Sequence, residues 1–201
     1  MHRGFWNAIA VSFVVGATLL GSGCGETAPP AWRTTDISGA DFGRTLAGLK
    51  DHHGKPTNLA DFRGKVVLLF FGYTACPDVC PGTLARFADV MKALGPDADR
   101  VQVVFVTLDP ERDTPEKLAV YVPWFHPSFI GLSGDRTATE AAAREFKIFY
   151  ARSTSSRAMG YLIDHSAGAY AIDPAGKIRL YIKDDASIAG IASDLKRLLT
   201  E

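Results

Sequence analysis

Two cysteines separated by three residues, Cys76 and Cys80, are the side chains of this sequence best suited to chemistry. They follow a continuous apolar run at 66–71 and precede apolar residues at helical spacing over 84–94, which predicts a position between a buried strand and an amphipathic helix. If the helix begins near Cys76, both side chains share one face, and the unpaired amides at its N-terminus favour thiolates. The pair can therefore bind a metal ion or form a reactive disulfide. Because it closes so small a loop, a purely structural disulfide is the weaker interpretation.

One histidine, His165, lies just before the next-to-last predicted strand, where thioredoxin-type redox proteins place a proline. Those proteins also have two residues between their cysteines, whereas this sequence has three. Two thiolates and one imidazole form a soft donor set that suits Cu(I), or Cu(II) with an added ligand. Structural zinc requires a fourth protein ligand and catalytic zinc a well-placed general base, and the sequence identifies neither. The residue types therefore favour copper.

The order of predicted elements indicates an α/β domain that brings the cysteine loop to one edge of a sheet. A hairpin is predicted over 46–59, with its turn at 51–54. Thr114 and Pro115 are typical of a helix start. Right-handed crossovers make the first two central strands parallel, with the cysteine loop at the carboxyl end of the first. The remaining strands are predicted near 66–71, 101–107, 129–132, 169–172 and 177–182. The helices are predicted over 84–94 and the residues just before it, from 115 to about 121 or 125, over 137–149 and over 187–199.

The composition fits one globular domain with an N-terminal extension. The chain has 201 residues, is 47% hydrophobic and has a formal net charge of zero. That size buries a sizeable core without help from disulfides. Because no basic stripe with interleaved aromatic residues is present, nucleic-acid binding is excluded as an interpretation.

The N-terminus has the pattern of a secretory signal that ends at a third cysteine. His2 and Arg3 precede an apolar run over 8–20, which is followed by small residues and Cys24. This segment resembles a bacterial lipoprotein signal, in which the cysteine is lipidated; an uncleaved signal anchor is the alternative. Residues 1–24 are therefore predicted as the signal and anchor, 25–40 as a flexible tether and 41–201 as the folded domain. The domain is expected outside the cytoplasm, on the periplasmic side of a bacterial membrane.

Other polar residues have more ordinary interpretations. His52 and His53 lie in the predicted hairpin turn and are expected to be exposed. Asp164 either orients the neighbouring imidazole or belongs to a turn. Three acidic residues after the second central strand lack the ligand spacing of a calcium loop and are expected to shape a turn and cap the next helix: Asp109, Glu111 and Asp113.

Three ordered motifs, at 72–81, 106–115 and 164–166, together with Tyr170 and Asp173, resemble the Sco/SenC family of membrane-tethered copper chaperones. The resemblance covers the chain from about residue 46 to its end. It implies a thioredoxin-like α/β fold, here with an N-terminal β-hairpin and extra insertions. It also implies a role in assembling the binuclear copper centre of cytochrome c oxidase, with the copper-bearing oxidase subunit and other copper carriers as partners. Carried over by position, the copper ligands are Cys76, Cys80 and His165.

Two enzyme-like functions are alternatives to copper delivery. The cysteine pair could act as a thiol-disulfide reductase that keeps target cysteines reduced for metal loading, and the missing proline counts against this. A peroxidase is disfavoured because peroxiredoxins place threonine or serine three residues before the reactive cysteine, where this chain has Tyr73. A catalytic role is therefore not the main expectation, and Cys76 and Cys80 are also the predicted redox pair. The sequence does not distinguish Cu(I) from Cu(II) as the form transferred.

Overall fold

The computed structural model describes residues 1–2, 31–153 and 160–201. The chain divides into two compact units, Met1–Ala31 and Trp32–Glu201, and the second contains all the elements named below. Within the described ranges, no helix is both long and apolar enough to cross a membrane. The strands are β1 (Thr35–Asp36), β2 (Lys50–Asp51), β3 (Val66–Gly72), β4 (Val101–Thr107), β5 (Ile130–Ser133), β6 (Tyr150–Ser153), β7 (Leu162–His165), β8 (Ala169–Ile172) and β9 (Ile178–Ile182). The helices are α1 (Val79–Leu94), α2 (Pro115–Phe125), α3 (Arg136–Glu145) and α4 (Ile188–Leu198).

Seven strands form one mixed sheet in the order β1-β9-β8-β3-β4-β5-β2. The central strands β3 and β4 are parallel and in register over their whole length, and β4 also pairs with β5 in parallel. Every residue of β3 and β4 is buried, as expected for apolar runs that are covered on both faces. Strand β8 pairs antiparallel with β3 on the other side. The predicted thioredoxin-like α/β fold is confirmed.

The helices follow from local signals in the sequence. α1 buries an apolar stripe against the sheet and contacts both α2 and α4. α2 begins as predicted, with the Thr114 hydroxyl accepting a hydrogen bond from the Lys117 amide and Pro115 in its first turn. Because β3, α1 and β4 form one parallel crossover, the loop between β3 and α1 lies at the carboxyl edge of the sheet.

The predicted N-terminal hairpin is only partly formed. Its turn is present, since the Gly54 amide donates to the Asp51 carbonyl at 2.8 Å and Gly54 has a positive φ of 84°. The second arm is a single bridge between Lys50 and Pro56, and β2 pairs instead with β5 at the edge of the central sheet. The arm ends because Asn58 caps a short 3-10 helix, Leu59–Phe62, that begins directly after it.

A second hairpin, formed by β6 and β7, is absent from the predictions. Its two strands make a separate antiparallel sheet in which Tyr150 pairs with His165. Most of the surface loop predicted over 153–158 lies outside the described residues. This hairpin matters because it carries the predicted histidine ligand.

The described part of the predicted 25–40 tether is attached to the domain, which differs from the expectation of a free linker. Thr35 and Asp36 form β1 on β9. Just before them, the buried carboxylate of Asp194 in α4 accepts hydrogen bonds from the amides of Arg33 and Thr34 and from the Thr34 hydroxyl, at 2.8 to 3.1 Å. Because β1 has only two residues, few backbone hydrogen bonds attach it to the sheet. The bonds to Asp194 add to them, so the chain is held against the domain from residue 33 onward.

Candidate metal centre

The two cysteines lie on different pieces of backbone. Cys76 is half-buried in the loop after β3, whereas Cys80 is fully buried in the first turn of α1, which begins at Val79. The helix therefore starts three residues after Cys76. The Cys80 amide donates to the Cys76 Sγ atom at 3.4 Å, so the helix N-terminus still faces the first sulfur. The two cysteines are not joined by a disulfide in this structure.

The imidazole of His165 completes this group from the end of β7. Its Nε2 atom lies 3.5 Å from the Sγ atom of Cys80. Its Nδ1 atom lies 2.9 Å from the carbonyl oxygen of Ser166. Because a carbonyl can only accept, Nδ1 donates to Ser166, and Nε2 is the ring nitrogen that faces the sulfur. The Ser166 carbonyl thus has the orienting role considered for Asp164, whose side chain is exposed.

Aromatic rings and one glycine shape the space around these donors. The rings of Phe70 and Tyr73 contact the His165 ring edge-on, with centroids 6.2 and 6.0 Å away. At the end of β3, a β-carbon on Gly72 would lie 2.8 Å from the Cys80 sulfur. Glycine is therefore required for the thiol to occupy its position. In the sequence, Gly72 is visible only as a glycine at the end of a strand, and its close approach to the Cys80 sulfur is not.

The pKa values of the two cysteines are shifted in opposite directions. The pKa of Cys76 is lowered to about 3, chiefly by a hydrogen bond from the Cys80 thiol, with help from His165 and from the amides of Cys80 and Asp78. The same hydrogen bond and burial raise the pKa of Cys80. At neutral pH the pair therefore carries one proton, held on Cys80, and Cys76 is the thiolate.

A buried carboxylate fixes the cysteine loop, a role the sequence did not predict. Asp113 accepts hydrogen bonds from the Thr74 amide at 2.9 Å and the Thr74 hydroxyl at 2.5 Å. It also accepts one from the Thr107 hydroxyl at 2.6 Å. Asp113 was expected to cap the next helix, but Thr114 provides that cap. In the sequence, Asp113 is an acidic residue next to the capping Thr114. This position does not reveal that its partner, Thr74, lies 39 residues earlier.

The other predicted site residues lie apart from this group. His53 is exposed as expected, but the prediction for His52 is wrong: its side chain is buried and its Nδ1 atom accepts a hydrogen bond from the Gly131 amide at 3.0 Å. β5 packs over the turn, and turn residues alone do not reveal such a neighbour. Cys24 lies outside the described residues.

The donor set fits a soft metal ion. In the part of the chain that the structure describes, no three His, Cys, Asp or Glu side chains already converge to hold an ion. Instead, Cys76, Cys80 and His165 contact one another directly. The 3.5 Å between sulfur and nitrogen matches two ligands at about 2.0–2.3 Å from one ion at a tetrahedral angle. Two sulfurs and an imidazole nitrogen suit copper.

Comparison with known proteins gives matches over most of the chain. The family model described as SCO1/SenC matches residues 39–200. The mitochondrial SCO2 homologue of Mus musculus is 37% identical over 167 residues, which cover 82% of this chain and 66% of the mouse protein. The chain thus spans just under two thirds of that relative's length.

Solved structures match as well. The copper-bound structure of ScoI from Bradyrhizobium japonicum is 35% identical, covers 78% of this chain and 99% of its own, and superimposes with a TM-score of 0.71. The copper-bound structure of ScoI from Arabidopsis thaliana is 28% identical, covers 79% of this chain and 98% of its own, and gives a TM-score of 0.74.

Proposed function

The chain belongs to the SCO1/SenC family, and from this premise we propose that it binds copper through Cys76, Cys80 and His165 and delivers it during assembly of cytochrome c oxidase. The observation that carries the proposal is the approach of the His165 Nε2 atom to the Cys80 Sγ atom at 3.5 Å. The copper-bound relatives support the choice of metal. The recipient is the copper-bearing subunit that holds the binuclear centre, and other copper carriers supply the ion.

Each residue has a distinct part in handling this cargo. The Cys76 thiolate is half-exposed and is the first donor that an incoming ion reaches. Cys80 gives up its proton as it becomes the second donor. His165 supplies Nε2 while Ser166 holds the ring in place through Nδ1. The soft donors bind Cu(I) and, with a further ligand, Cu(II). Because Cys76 is half-exposed and Cys80 is fully buried, a partner's thiols can take the ion from the Cys76 side.

Copper titration of the purified full-length chain, with a chelator as competitor, tests the binding step. We expect one tight site, and we expect His165→Ala to weaken it at least tenfold. His53→Ala removes an exposed histidine outside the site and serves as the matched control. Equal affinity for the wild-type protein and His165→Ala would contradict the ligand assignment.

A thiol-disulfide reductase is the second candidate, and the low pKa of Cys76 beside a second free thiol favours it. Cells that lack this protein separate the two functions. If copper delivery is the function, the His165→Ala and Cys76→Ser variants both fail to restore oxidase activity, and added copper partly compensates. If thiol reduction is the function, His165→Ala restores activity and Cys76→Ser does not.

We further propose that the chain is anchored by lipid at Cys24 on the periplasmic side of a bacterial membrane. The support is the apolar run over 8–20 followed by small residues and a cysteine. Membrane fractionation tests this proposal. Cys24→Ala is expected to prevent lipidation, which intact-mass analysis detects as the loss of the acyl groups and retention of the leader. An unmodified Cys24 in the wild-type protein would favour an uncleaved signal anchor.

A further inference from the structure

The loop that follows β4 touches both pieces of backbone that carry the copper donors. We propose that this bridging loop, residues 108–113, sets the distance between the cysteine pair and His165, and that Asp113, Arg112 and Tyr161 are positioning residues for copper binding. The inference rests on the proposed function, because it concerns the same three donors. None of the three positioning residues is itself proposed to bind the metal.

One end of the bridging loop holds the cysteine loop. The Asp113 side chain is fully buried, and both of its oxygens are used by Thr74, two residues before Cys76. The Thr107 hydroxyl and the Lys117 ammonium, at 2.6 and 3.4 Å, are its further partners. Hydrogen bonds to a buried carboxylate are strong and directional. The position of Thr74, and hence of the chain entering Cys76, is therefore fixed relative to β4.

The other end of the loop holds the chain that enters β7. The fully buried carboxylate of Asp109 pairs with the Arg112 guanidinium and accepts a hydrogen bond from the Tyr161 hydroxyl at 2.6 Å. Arg112 also donates to the Tyr161 carbonyl at 2.9 Å and stacks 3.7 Å from the centroid of the Tyr161 ring. Tyr161 is thus held at its ring, its hydroxyl and its backbone, four residues before His165.

The β6–β7 hairpin needs such an attachment because it forms a sheet of its own. Its two described strands, β6 and β7, pair with each other and with no strand of the seven-stranded sheet that carries the cysteine loop. Glu111 pairs with Arg152 of β6 at 2.7 Å and with Arg136 of α3, but these three side chains are 44 to 64% exposed, so the pairs stabilise weakly. The buried Asp109 carboxylate is the stronger connection.

The physical consequence is preorganisation of the donors. When the bridging loop is intact, binding copper requires only small side-chain rotations. When either end is loosened, the donors must be ordered at the time of binding, and that entropy cost lowers the affinity. We expect a loss of about tenfold for one missing buried hydrogen bond.

Two substitutions remove one hydroxyl each and leave the shape of the side chain unchanged. Tyr161→Phe removes the bond to Asp109 and keeps the ring beside Arg112, whereas Thr74→Val removes the hydroxyl bond to Asp113. The matched controls lose a hydroxyl bond away from the site: the Tyr170 hydroxyl donates to the Phe146 carbonyl at 2.8 Å and the Thr57 hydroxyl to the Lys55 carbonyl at 2.9 Å. Each pair, Tyr161→Phe with Tyr170→Phe and Thr74→Val with Thr57→Val, is compared in the full chain.

The deciding experiment measures copper affinity for each variant with and without His165→Ala. We expect Tyr161→Phe to weaken binding about tenfold in the wild-type background and less than twofold with His165→Ala, because its effect passes through the imidazole. Thr74→Val acts on the cysteine side and is expected to weaken binding in both backgrounds. The thiolate-to-Cu(II) absorption of Tyr161→Phe is expected to shift toward that of His165→Ala.

Amide hydrogen exchange without added copper gives a second readout. The amides of β6 and β7 are expected to exchange faster in Tyr161→Phe, relative to those of β8, and to be unaffected by Thr57→Val. Wild-type protein that fails to bind copper would overturn the proposed function and this inference with it. Wild-type protein that binds copper, with Tyr161→Phe no weaker than Tyr170→Phe, would overturn the positioning role alone.

Discussion

The Nε2 atom of His165 and the Sγ atom of Cys80 lie 3.5 Å apart although 85 positions separate them in the sequence. One atom belongs to the separate β6–β7 hairpin and the other to the first turn of α1. The donor set therefore exists only when the hairpin is correctly placed against the central sheet. Metal binding at such a site depends on the tertiary structure and stabilises it in turn.

The first prediction concerns proton release. Because Cys76 is already a thiolate, with a pKa of about 3, and the pKa of Cys80 is raised, binding of copper by both sulfurs displaces one proton. Copper affinity is therefore expected to rise with pH, by about tenfold per unit between pH 7 and 8.5. Titration in weakly buffered solution at pH 7.5 measures the protons released. Two protons per copper would show that Cys76 is protonated, and none would show that both thiols are already ionised.

The second prediction concerns Gly72. An added methyl group would lie 2.8 Å from the Cys80 sulfur and 2.9 Å from the Phe105 ring, so Gly72→Ala must displace the thiol. We expect a loss of about 1–3 kcal/mol in the free energy of unfolding and weaker copper binding. Denaturant unfolding and chelator competition measure the two effects.

Gly82 offers a matched control for this substitution. It lies in α1, and a β-carbon there would meet no atom within 4 Å. Gly82→Ala is therefore expected to raise the free energy of unfolding by up to about 1 kcal/mol and to leave copper affinity unchanged. Unchanged copper affinity in Gly72→Ala would show that the Cys80 sulfur has more room than its surroundings indicate.

The central part of the fold could be predicted because its signals are local. β3 is a continuous apolar run, β4 is apolar apart from Gln102 and its terminal Thr107, and α2 carries its own cap and proline at the predicted positions. The β6–β7 hairpin could not be predicted in this way. Its strands have four residues each and are largely half-buried or exposed, so they lack the alternation that marks a longer strand.

The candidate site could be predicted as a set of donors but not as a geometry. The spacing of Cys76 and Cys80 and the motif around His165 identify the three side chains. The attachment of Thr74 to Asp113 depends on which loops meet after folding, and neither residue type reveals its partner. Buried carboxylates that fix a backbone are read from the sequence as ordinary turn and cap residues, since those are their commoner roles.

The third prediction concerns the N-terminal attachment at Asp194. Replacing this carboxylate with alanine removes the acceptor for the amides of Arg33 and Thr34 and for the Thr34 hydroxyl. We expect a loss of about 1–3 kcal/mol in the free energy of unfolding and faster proteolysis before β1. Asp89→Ala removes an exposed carboxylate paired with Lys92 and is expected to change stability by less than about 0.5 kcal/mol. Equal protease sensitivity in both variants would contradict the attachment.

The fourth prediction is an acid-dependent loss of stability that originates at His52. Its Nδ1 atom accepts a hydrogen bond from the Gly131 amide, so this nitrogen carries no hydrogen and the buried ring is neutral. In the folded protein, burial and the neighbouring His53 lower the pKa of His52 below its ordinary value of 6.5. In the unfolded chain we expect His52 to have that ordinary pKa of 6.5.

Between these two pKa values the unfolded chain binds more protons than the folded protein, so the free energy of unfolding falls as the pH drops below about 6.5. Urea unfolding between pH 7.5 and 5.5 measures this dependence. His52→Gln keeps an acceptor for the Gly131 amide without a titrating ring, and is expected to flatten the curve. His53→Gln changes the exposed neighbour and is expected to leave most of the slope. A His52→Gln protein with the wild-type slope would assign the acid sensitivity to other groups.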